Sequence, residues 1–558
     1  MAVQHVARGP QQYMQFVSIN DMSKIIETTI NRFDGGITND PRNPAENVAR
    51  MMSNFDVLTS PNKMTPYRSS ESGDDAGSTS IKRNFAIALR TGTTYSLYAL
   101  GVVSGQNYVE VLYKNLTTGA TTDLDDNAWA ATANNADSSG ATDFNLFVFY
   151  RRTGLIYGSS AGSRIWAYDP SGVASFAATS RSLTYTQIGQ GLVHSKDDIL
   201  YIPYYNNAGA AGAKSFIARN NNTTWTDAAL TLPDHLIPTS ISEYGNFIAV
   251  VCTPASGIGN SRLYLWNRDS SLATLSETID CGTGSAIICE EIDGELVIIS
   301  QKGGAATSFT GNPHGSSSHR DRVIFRILVN NQALKFLEIQ ANHSGGANTT
   351  ILPLYKQKVD NRLFFQMLIE LNGSVRDGVW SIGRSAPGAR FALIHERTSN
   401  NNTALTTSDS LRGFIMVGDY LFQSYVAGGT HATTKTDDSS TGFSHNSVYE
   451  TKTFNGGDST IYKDLTEAMV ETEYMPTAGQ ITLAYQINEN VGTSTWTTIF
   501  TNTTNNSVSH TANNIESSGA TLPKQYKQIA FRILSTGGAE VTGLRFKEEL
   551  TVRKHIVD

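Results

Sequence analysis

Short runs of alternating apolar and polar residues, separated by turn-forming residues, recur along most of the chain. Alternation with a period of two places apolar side chains on one face of a strand, and Val, Ile, Thr and aromatic residues, which favour strands, dominate these runs. Representative runs read NFAIALRTGTTYSLYALG, DILYIPYYNNAGAAGAKSFIARN and NFIAVVCTPASGIGNSRLYLWN. The pattern predicts an all-β chain built from many short strands.

These runs form a degenerate repeat, in which a short apolar strand, a polar or glycine-rich break and a second alternating strand follow one another. Seven units begin at spacings of 44 to 70 residues, and the longer spacings contain polar insertions that we interpret as loops on a unit of about 45 residues. Several units follow another strand that ends in a hairpin turn, with Gly245, Gly294 or Gly418 beside Asn or Asp. The units begin at Phe85, Leu155, Ile199, Phe247, Leu296, Leu363 and Leu421.

Repeated four-stranded antiparallel units are typical of a β-propeller, because radial repetition leaves few open sheet edges. We therefore predict a β-propeller over residues 81–453, with seven blades, and place the last strand of its seventh unit at NSVYETKTF. A set of stacked β-sandwiches is the alternative.

Residues 1–80 do not follow the repeat. The β-branched residues of Ile25–Ile30 predict a strand, and PAENVARMM predicts one short helix with Pro44 in its first turn. A segment of this length with two apolar patches cannot bury a core of its own. We expect an N-terminal arm that docks on the propeller, on the C-terminal domain or on a neighbouring subunit.

The repeat stops near Thr453, and residues 454–558 contain six candidate strands with turn signals between them. This pattern is typical of an antiparallel β-sandwich. Trp496 and Phe500 share one face of a strand, as do Phe531 and Ile533, and we expect all four in the core.

Composition narrows the possible functions. The chain has 558 residues, 39% of them hydrophobic and 17% charged, and a net charge of −7 without a basic stripe, which argues against a nucleic-acid-binding protein. We expect neither a secretion signal nor a membrane span, because no apolar stretch is long enough. Cys252, Cys281 and Cys289 lack CxxC spacing, and we expect them in strands of the core.

No motif of a P-loop, a zinc protease, a serine hydrolase or a CxxC site occurs in the sequence. We therefore predict no catalytic, cofactor-binding or metal-binding residues and no cofactor. His314 and His319 share one polar loop but lack further metal ligands. The acidic residues of TTDLDDNAW lack the central Gly and closing Glu of a calcium loop, and we interpret them as solvated; they are Asp123, Asp125 and Asp126.

Glycoside hydrolysis needs two carboxyl groups at a defined separation. Glu290 with Glu291, and Asp197 with Asp198, are the pairs that keep a glycosidase as an alternative. Exposed aromatic side chains could bind a sugar by stacking, but we expect the candidates to pack between strands instead. These candidates are Trp225, Tyr204 and Tyr205.

The segment NRFDGGITNDPRNPAENVARMMSNFDVLTSPNKMTPYR resembles the opening of a group of bacteriophage virion proteins. In that group an apolar strand, an FDGG turn and an Asn-Phe-Asp segment before Pro-Tyr-Arg precede a propeller. The run from MPTAGQITLAYQIN to FRILSTGGAEVTGLRF is similar to the sandwich that often ends tail components of this kind.

The resemblance implies a non-enzymatic tail structural protein of the nozzle, ring or tail-tip type. Its partners would be copies of itself in a ring and other tail proteins, with DNA passing through the assembled channel without specific binding. It would be located in the virion tail and assembled in the host cytoplasm. The alternatives are a tail protein that binds host-surface glycan and, less favoured, a propeller glycosidase.

Overall fold

A computed structural model provides the fold of the chain. The residues that it describes are 25–38, 47–72, 80–91, 94–103, 109–115, 130–131, 146–160, 164–171, 176–183, 185, 187–206, 214–255, 259–269, 277–302, 322–340, 350–371, 374–399, 410–418, 420–427, 430–437, 442–443, 445–456, 460–491, 495–513 and 522–551.

The first described segment, residues 25–38 and 47–72, runs across the other units of the molecule, and we name it the strap. Its strands are β1 (Ile25–Ile30), β2 (Ala49–Ser53), β3 (Phe55–Asp56), β4 (Thr65–Pro66) and β5 (Ser70–Ser72).

Seven antiparallel sheets follow within the described residues. The first contains β6 (Ser80–Thr91), β7 (Thr94–Val103), β8 (Val109–Asn115) and β9 (Ala130–Ala131). The second contains β10 (Phe147–Tyr150), β11 (Leu155–Ser160), β12 (Arg164–Tyr168) and β13 (Phe176–Ser182). The third contains β14 (Gln187–Ile188), β15 (Leu192–Val193), β16 (Leu200–Asn206), β17 (Lys214–Asn220) and β18 (Trp225–Leu232).

The remaining four sheets continue in chain order. The fourth contains β19 (Leu236–Tyr244), β20 (Phe247–Pro254), β21 (Asn260–Trp266) and β22 (Glu277–Thr283). The fifth contains β23 (Ser285–Ile292), β24 (Glu295–Lys302), β25 (Arg322–Val329) and β26 (Gln332–Gln340). The sixth contains β27 (Thr350–Val359), β28 (Arg362–Leu371), β29 (Ser374–Arg376), β30 (Val379–Gly383) and β31 (Ala392–Arg397). The seventh contains β32 (Ser410–Val417), β33 (Tyr420–Ala427) and β34 (Thr430–Thr436).

The seven sheets close into a ring. Strand β6 contacts β10, β16 contacts β19, β19 contacts β23, β23 contacts β27, β27 contacts β32, and β32 returns to β6. Side chains of the second and third sheets share one apolar cluster, which contains Tyr150 and Ile188. Antiparallel sheets arranged around a closed ring define a β-propeller. The predicted all-β propeller is confirmed, and the number of seven blades stays a prediction that these sheets support.

The C-terminal unit is a sandwich of two sheets. Its elements are β35 (Ser447–Thr451), β36 (Tyr462–Thr472), β37 (Gln480–Ile487), a single 3-10 turn (Asn488–Asn490), β38 (Thr497–Asn502), β39 (Ser509–Asn513), β40 (Ile529–Thr536) and β41 (Val541–Thr551). One sheet has the order β1-β41-β36-β39, and the other contains β35-β40-β37-β38. The two sheets pack through aromatic residues, with the Phe531 and Phe546 ring centroids 4.7 Å apart.

The strap supplies strands to three different units. Strand β1 pairs with β41 of the sandwich, and β5 pairs with β34 as the fourth strand of the seventh sheet. Strand β2 lies between β31 and β35, so that the sixth sheet and one sandwich sheet become a single ten-stranded sheet. The arm expected from the sequence is therefore built into both larger units of its own chain.

The tight turns follow the sequence prediction. Gly245, Gly294 and Gly418 all have positive φ angles, at the turns of the β19–β20, β23–β24 and β32–β33 hairpins. Two-residue hairpin turns need this left-handed backbone because it matches the twist of the flanking strands.

Three expectations about local structure are wrong. Residues 49–52 of the expected short helix lie in β2, because this strand pairs with β35 along one edge and meets β31 at the other. Residues 44–46 are not among the described ones. Residues 447–451 pair with β40 of the sandwich, and β5 completes the seventh sheet in their place. Phe531 and Ile533 are fully buried and Phe500 packs on the same core, but Trp496 is partly exposed and contacts arginines.

Candidate functional site at the strap junction

The FDGG turn of the strap is fixed by packing and by a buried carboxylate. Phe33 is fully buried, and its ring meets that of Tyr449 edge to face at 5.3 Å. Asp34 accepts hydrogen bonds from the side chains of Ser385 at 2.6 Å, Arg32 at 2.7 Å and Asn47 at 2.9 Å. Burial by itself would raise the pKa of Asp34, but these donors hold it below the ordinary value. The turn is thereby joined to the loop after β30. We name the contacts of the strap with the propeller and the sandwich the strap junction.

Gly36 allows the closest approach between the strap and the propeller. Its φ angle is +71°, and a Cβ atom there would lie 2.8 Å from the Ala392 Cβ and from the Leu393 backbone nitrogen. Only glycine fits a left-handed conformation against a neighbouring backbone without strain. The backbone of Ile37 donates a hydrogen bond to the Leu393 carbonyl at 2.8 Å, so the contact continues as main-chain pairing.

The Asn-Phe-Asp segment carries the second junction contact. Asp56 accepts hydrogen bonds from the backbone of Leu58 and Thr59, and from the guanidinium of Arg362 at 2.9 Å. Arg362 lies at the start of β28, and its other nitrogen is 3.7 Å from the buried carboxylate of Glu396 on β31. Burial alone would raise the pKa of Asp56, but Arg362 and Thr59 hold it below the usual range. One arginine thus connects the strap with two strands of the sixth sheet.

Glu396 is held in a less solvated position than Asp56. It is 4% exposed and accepts a hydrogen bond from Ser381. Burial raises the pKa of Glu396 although Arg362 opposes the shift. Tyr67 of the strap faces the same carboxylate, and burial together with this negative charge raises the pKa of its phenol.

A buried glutamate connects β2 with the sandwich. Glu450 of β35 is 3% exposed and pairs with Arg50 of β2 at 3.0 Å and with Arg532 of β40 at 2.7 Å. The ring of Trp496 lies against both guanidinium groups, at 5.2 Å from Arg50 and 4.7 Å from Arg532, distances at which cation–π attraction operates. The cluster joins three neighbouring strands of the ten-stranded sheet on one face.

Ser53 and His395 form a hydrogen bond at the point where β2 meets β31. The Ser53 hydroxyl is 2.7 Å from His395 Nδ1, and Nε2 is 2.8 Å from the backbone carbonyl of Asp377. A carbonyl oxygen only accepts, so Nε2 carries the proton and Nδ1 accepts from the hydroxyl. Burial lowers the pKa of His395 to about 3, which keeps the ring neutral.

The Ser53–His395 pair has the residue types of a hydrolase nucleophile and base, but its geometry serves packing. Both side chains are at most 1% exposed, so substrate has no access. The Asp377 carboxylate accepts from the backbone of Ser399 and leaves only its carbonyl to orient the histidine. We therefore assign the pair to strap attachment.

A second polar cluster connects the first strands of three propeller sheets. The Lys356 ammonium on β27 donates to the Glu290 carboxylate and to the backbone carbonyls of Ile241 and Cys289. The Ser242 hydroxyl donates to the other Glu290 oxygen at 2.9 Å. All three protons of the ammonium have acceptors, so the cluster fixes β19, β23 and β27 relative to one another.

The carboxylate pairs expected for a glycosidase are engaged separately. Glu290 belongs to the Lys356 cluster, whereas Glu291 accepts from the backbone of Gly294 in a hairpin turn. Asp197 lies in the turn between β15 and β16 of the third sheet and pairs with Arg268 at 2.7 Å. Asp198 follows it with a φ of +52°. The structure places the two pairs on different sheets with different partners. The prediction that the chain is not an enzyme stays a prediction.

The expected sugar-stacking residues pack within the propeller. Tyr204 and Tyr205 are 4% and 5% exposed, and Trp225 packs on the apolar cluster of the second and third sheets. Their expected packing role is confirmed.

Cys252, Cys281 and Cys289 are buried in strands, as expected, and all three are free thiols. Burial raises the pKa of Cys281 to about 12, so its thiol stays protonated. In the described part of the chain, no three His, Cys, Asp or Glu side chains are arranged to hold a metal ion. Five candidate ligands fall outside that part; they are His314, His319, Asp123, Asp125 and Asp126.

Sequence reasoning did not identify the polar residues of the junction. Arg50, Glu450 and His395 are single polar residues inside strand patterns, and the sequence does not show that they converge from distant positions. The one available signal was the group of residues in the FDGG and Asn-Phe-Asp segments, which proved to lie at the junction.

Comparisons with known proteins found similarity to solved structures only. No protein-family model matches the chain, and no curated protein matches its sequence. Among solved structures it is similar to Chaetomium thermophilum Sqt1 bound to the N-terminus of ribosomal protein L10, with 10% identity and a TM-score of 0.36, covering 68% of this chain and 93% of that chain. It is also similar to Trypanosoma rangeli sialidase, with 11% identity and a TM-score of 0.30, covering 94% and 95% of the two chains. For the Dos1 propeller the identity is 10% and the TM-score 0.34, covering 67% and 95%.

These similarities are too distant to indicate a function. The sheet topology of the chain itself defines the propeller. The three named proteins are not bacteriophage tail proteins. Across the described residues, no helix has the length and apolarity needed to cross a bilayer.

Proposed function

We propose that the chain is a structural subunit of a bacteriophage tail, of the nozzle, ring or tail-tip type, and that it is not an enzyme. The observation that carries the proposal is the strap, which supplies strands to the propeller and to the sandwich and turns two of their sheets into one. A subunit that holds its neighbours in register needs domains that do not move against each other. A continuous hydrogen-bonded sheet provides this, whereas domains that meet through small interfaces move by default.

The residues behind the resemblance to virion proteins support the same proposal. Phe33, Asp34 and Gly36 of the FDGG turn, and Asp56 of the Asn-Phe-Asp segment, make the junction contacts. The segment that resembles tail proteins thus has a physical role in joining the units of this chain. None of these contacts requires a substrate.

The proposed partners are copies of this chain in a ring and other tail proteins around the tail channel, with host-cytoplasmic assembly into the virion. The net charge of −7 fits DNA passage without specific binding, because a weakly acidic surface does not retain a polyanion.

The proposal is tested by locating the chain in a particle. Gold-labelled antibody against the purified chain should bind the tails of intact virions from the source phage in electron micrographs, and reconstruction should show a ring of copies. Virions whose tails contain no copy would overturn the proposal.

A matched pair of variants relates the strap to assembly. Gly36→Ala should lower incorporation into tails because it disturbs the strap contact, whereas Gly245→Ala, at a turn whose Cβ position is open, should not. Sugar release from host envelope by the purified chain would favour the glycosidase alternative instead, and retention on host polysaccharide would favour glycan binding.

A further inference from the structure

The strap supplies the outermost strand of the seventh sheet. Its fourth strand is β5, three residues long, which pairs with Thr434, Lys435 and Thr436 of β34. Lys435 is 3% exposed and pairs with Glu71 of β5 at 3.0 Å. The ring itself closes through β32 and β6, whereas the outer edge of the seventh sheet is completed by a short strand that lies far away in the sequence.

The sixth and seventh sheets meet through a polar layer as well as apolar clusters. Gln366 and Gln423 each donate to a carbonyl of the neighbouring sheet, and Arg397 donates to the Thr436 hydroxyl at 2.6 Å. Among the described residues, several buried polar atoms in this layer have no hydrogen-bond partner: Gln366 Oε1, Gln423 Oε1, Arg397 Nε, Thr398 Oγ1 and Ser399 Oγ. Buried polar atoms without partners weaken an interface relative to apolar packing. In contrast, the junctions of the second sheet with the third, the third with the fourth and the fourth with the fifth contain larger apolar clusters.

A histidine holds the strap at this interface. Nε2 of His445 lies 2.8 Å from the backbone nitrogen of Ser70, the first residue of β5, and the backbone of His445 donates to the Ser69 hydroxyl. The Ser70 amide can only donate, so the contact exists only while Nε2 is unprotonated. A proton on Nε2 would place two donors against each other.

We propose that the pairing of β5 with β34, which we name the seam, opens in acid. Protonation of His445 releases β5 from β34, while the sandwich and the other sheets stay closed.

The charges around His445 define the pH range. Arg397 faces the ring from β31 and disfavours a second positive charge, whereas Asp437, after β34, favours it. Lys435 and Glu71 form their own ion pair across β34 and β5. Burial and Arg397 lower the pKa of His445 from 6.5 to about 4. The closed form, in which β5 pairs with β34, therefore excludes a proton that the open form binds. The stability of the closed form falls as the pH drops from about 6.5 to about 4.

Hydrogen–deuterium exchange of the full chain, read by mass spectrometry, tests the seam directly. After correction for the intrinsic pH dependence of exchange, the opening of β5 and β34 should increase about tenfold per pH unit between about 6.5 and 4, because one proton is taken up. Peptides from β36 and β41 should stay protected over the same range. This wild-type comparison decides the proposal without any variant.

His445→Gln adds a second test, because the Gln amide oxygen can accept from Ser70 without titrating. Its β5 peptide should lose the tenfold slope. His510→Gln is the matched control, since that histidine lies in the sandwich beside Thr472, and it should keep the wild-type slope at the seam. The proposal is overturned by a β5 peptide without pH dependence, by an unchanged slope in His445→Gln, or by β36 and β41 opening together with β5.

Discussion

The ammonium group of Lys356, on the first strand of the sixth sheet, lies 2.8 Å from the carboxylate of Glu290 on the first strand of the fifth. The two side chains are 9% and 17% exposed, so each depends on the other for charge compensation. Removing one member leaves the other poorly solvated, which costs more than the intact pair contributes.

Lys356→Met should therefore lower the free energy of unfolding by about 2 kcal/mol, measured by urea denaturation. The double variant Lys356→Met/Glu290→Gln should recover part of the loss. Lys335→Met is the control, because its pair with Glu338 is more exposed, and it should cost less than about 1 kcal/mol. Equal losses for the two lysines would contradict the prediction.

Gly36→Ala should destabilise the chain by about 2 kcal/mol or more, through left-handed backbone strain and contact with Ala392 and Leu393. Gly245→Ala should cost only about 1 kcal/mol, because its φ is similarly positive but its Cβ position is open. Thermal unfolding of both variants checks the difference. A Gly36 variant that is no less stable than the Gly245 variant would mean that the strap does not pack closely.

Glu450→Gln should lower the free energy of unfolding more than a surface substitution does, because it leaves Arg50 and Arg532 without their shared carboxylate. We expect a loss of about 3 kcal/mol by urea unfolding. Glu467→Gln is the matched control in the neighbouring sheet, with partners that are about one-third exposed, and it should cost less than about 1 kcal/mol. The prediction fails if the two losses agree within error.

Acid should destabilise the strap junction through His395. Its pKa of about 3 in the folded chain lies below the ordinary 6.5 because of burial, so the unfolded chain binds a proton that the folded chain excludes. The stabilising effect of the neutral ring is complete above about 6.5 and is lost as the pH falls towards 3, with the unfolding equilibrium constant rising about tenfold per unit.

Urea unfolding of the wild type at a series of pH values measures this slope. His395→Gln should be less stable at neutral pH but should show a slope smaller by one proton. His235→Gln, at an exposed histidine, should keep the wild-type slope. An unchanged slope in His395→Gln would assign the acid sensitivity to other groups.

Local sequence signals predicted the repeated strands and turns well. Each of the seven predicted unit starts falls in a different propeller sheet or directly before its strand, because strand periodicity and turn chemistry are local properties. The same reasoning failed at residues 49–52, where Ala, Arg and Met favour a helix by propensity. There, hydrogen-bond partners on β31 and β35 outweigh a preference of a few tenths of a kcal/mol per residue.

The sequence alone determined that the chain forms short antiparallel strands in a repeated unit, followed by a different β-rich unit, since alternation and turn residues act over a few positions. Only the tertiary structure decided which strands are neighbours across the chain. Ser70 meets His445, and Arg50 meets Glu450, over separations of 375 and 400 residues. Such contacts leave no periodic trace in a sequence, because each depends on where two folded units place a single side chain.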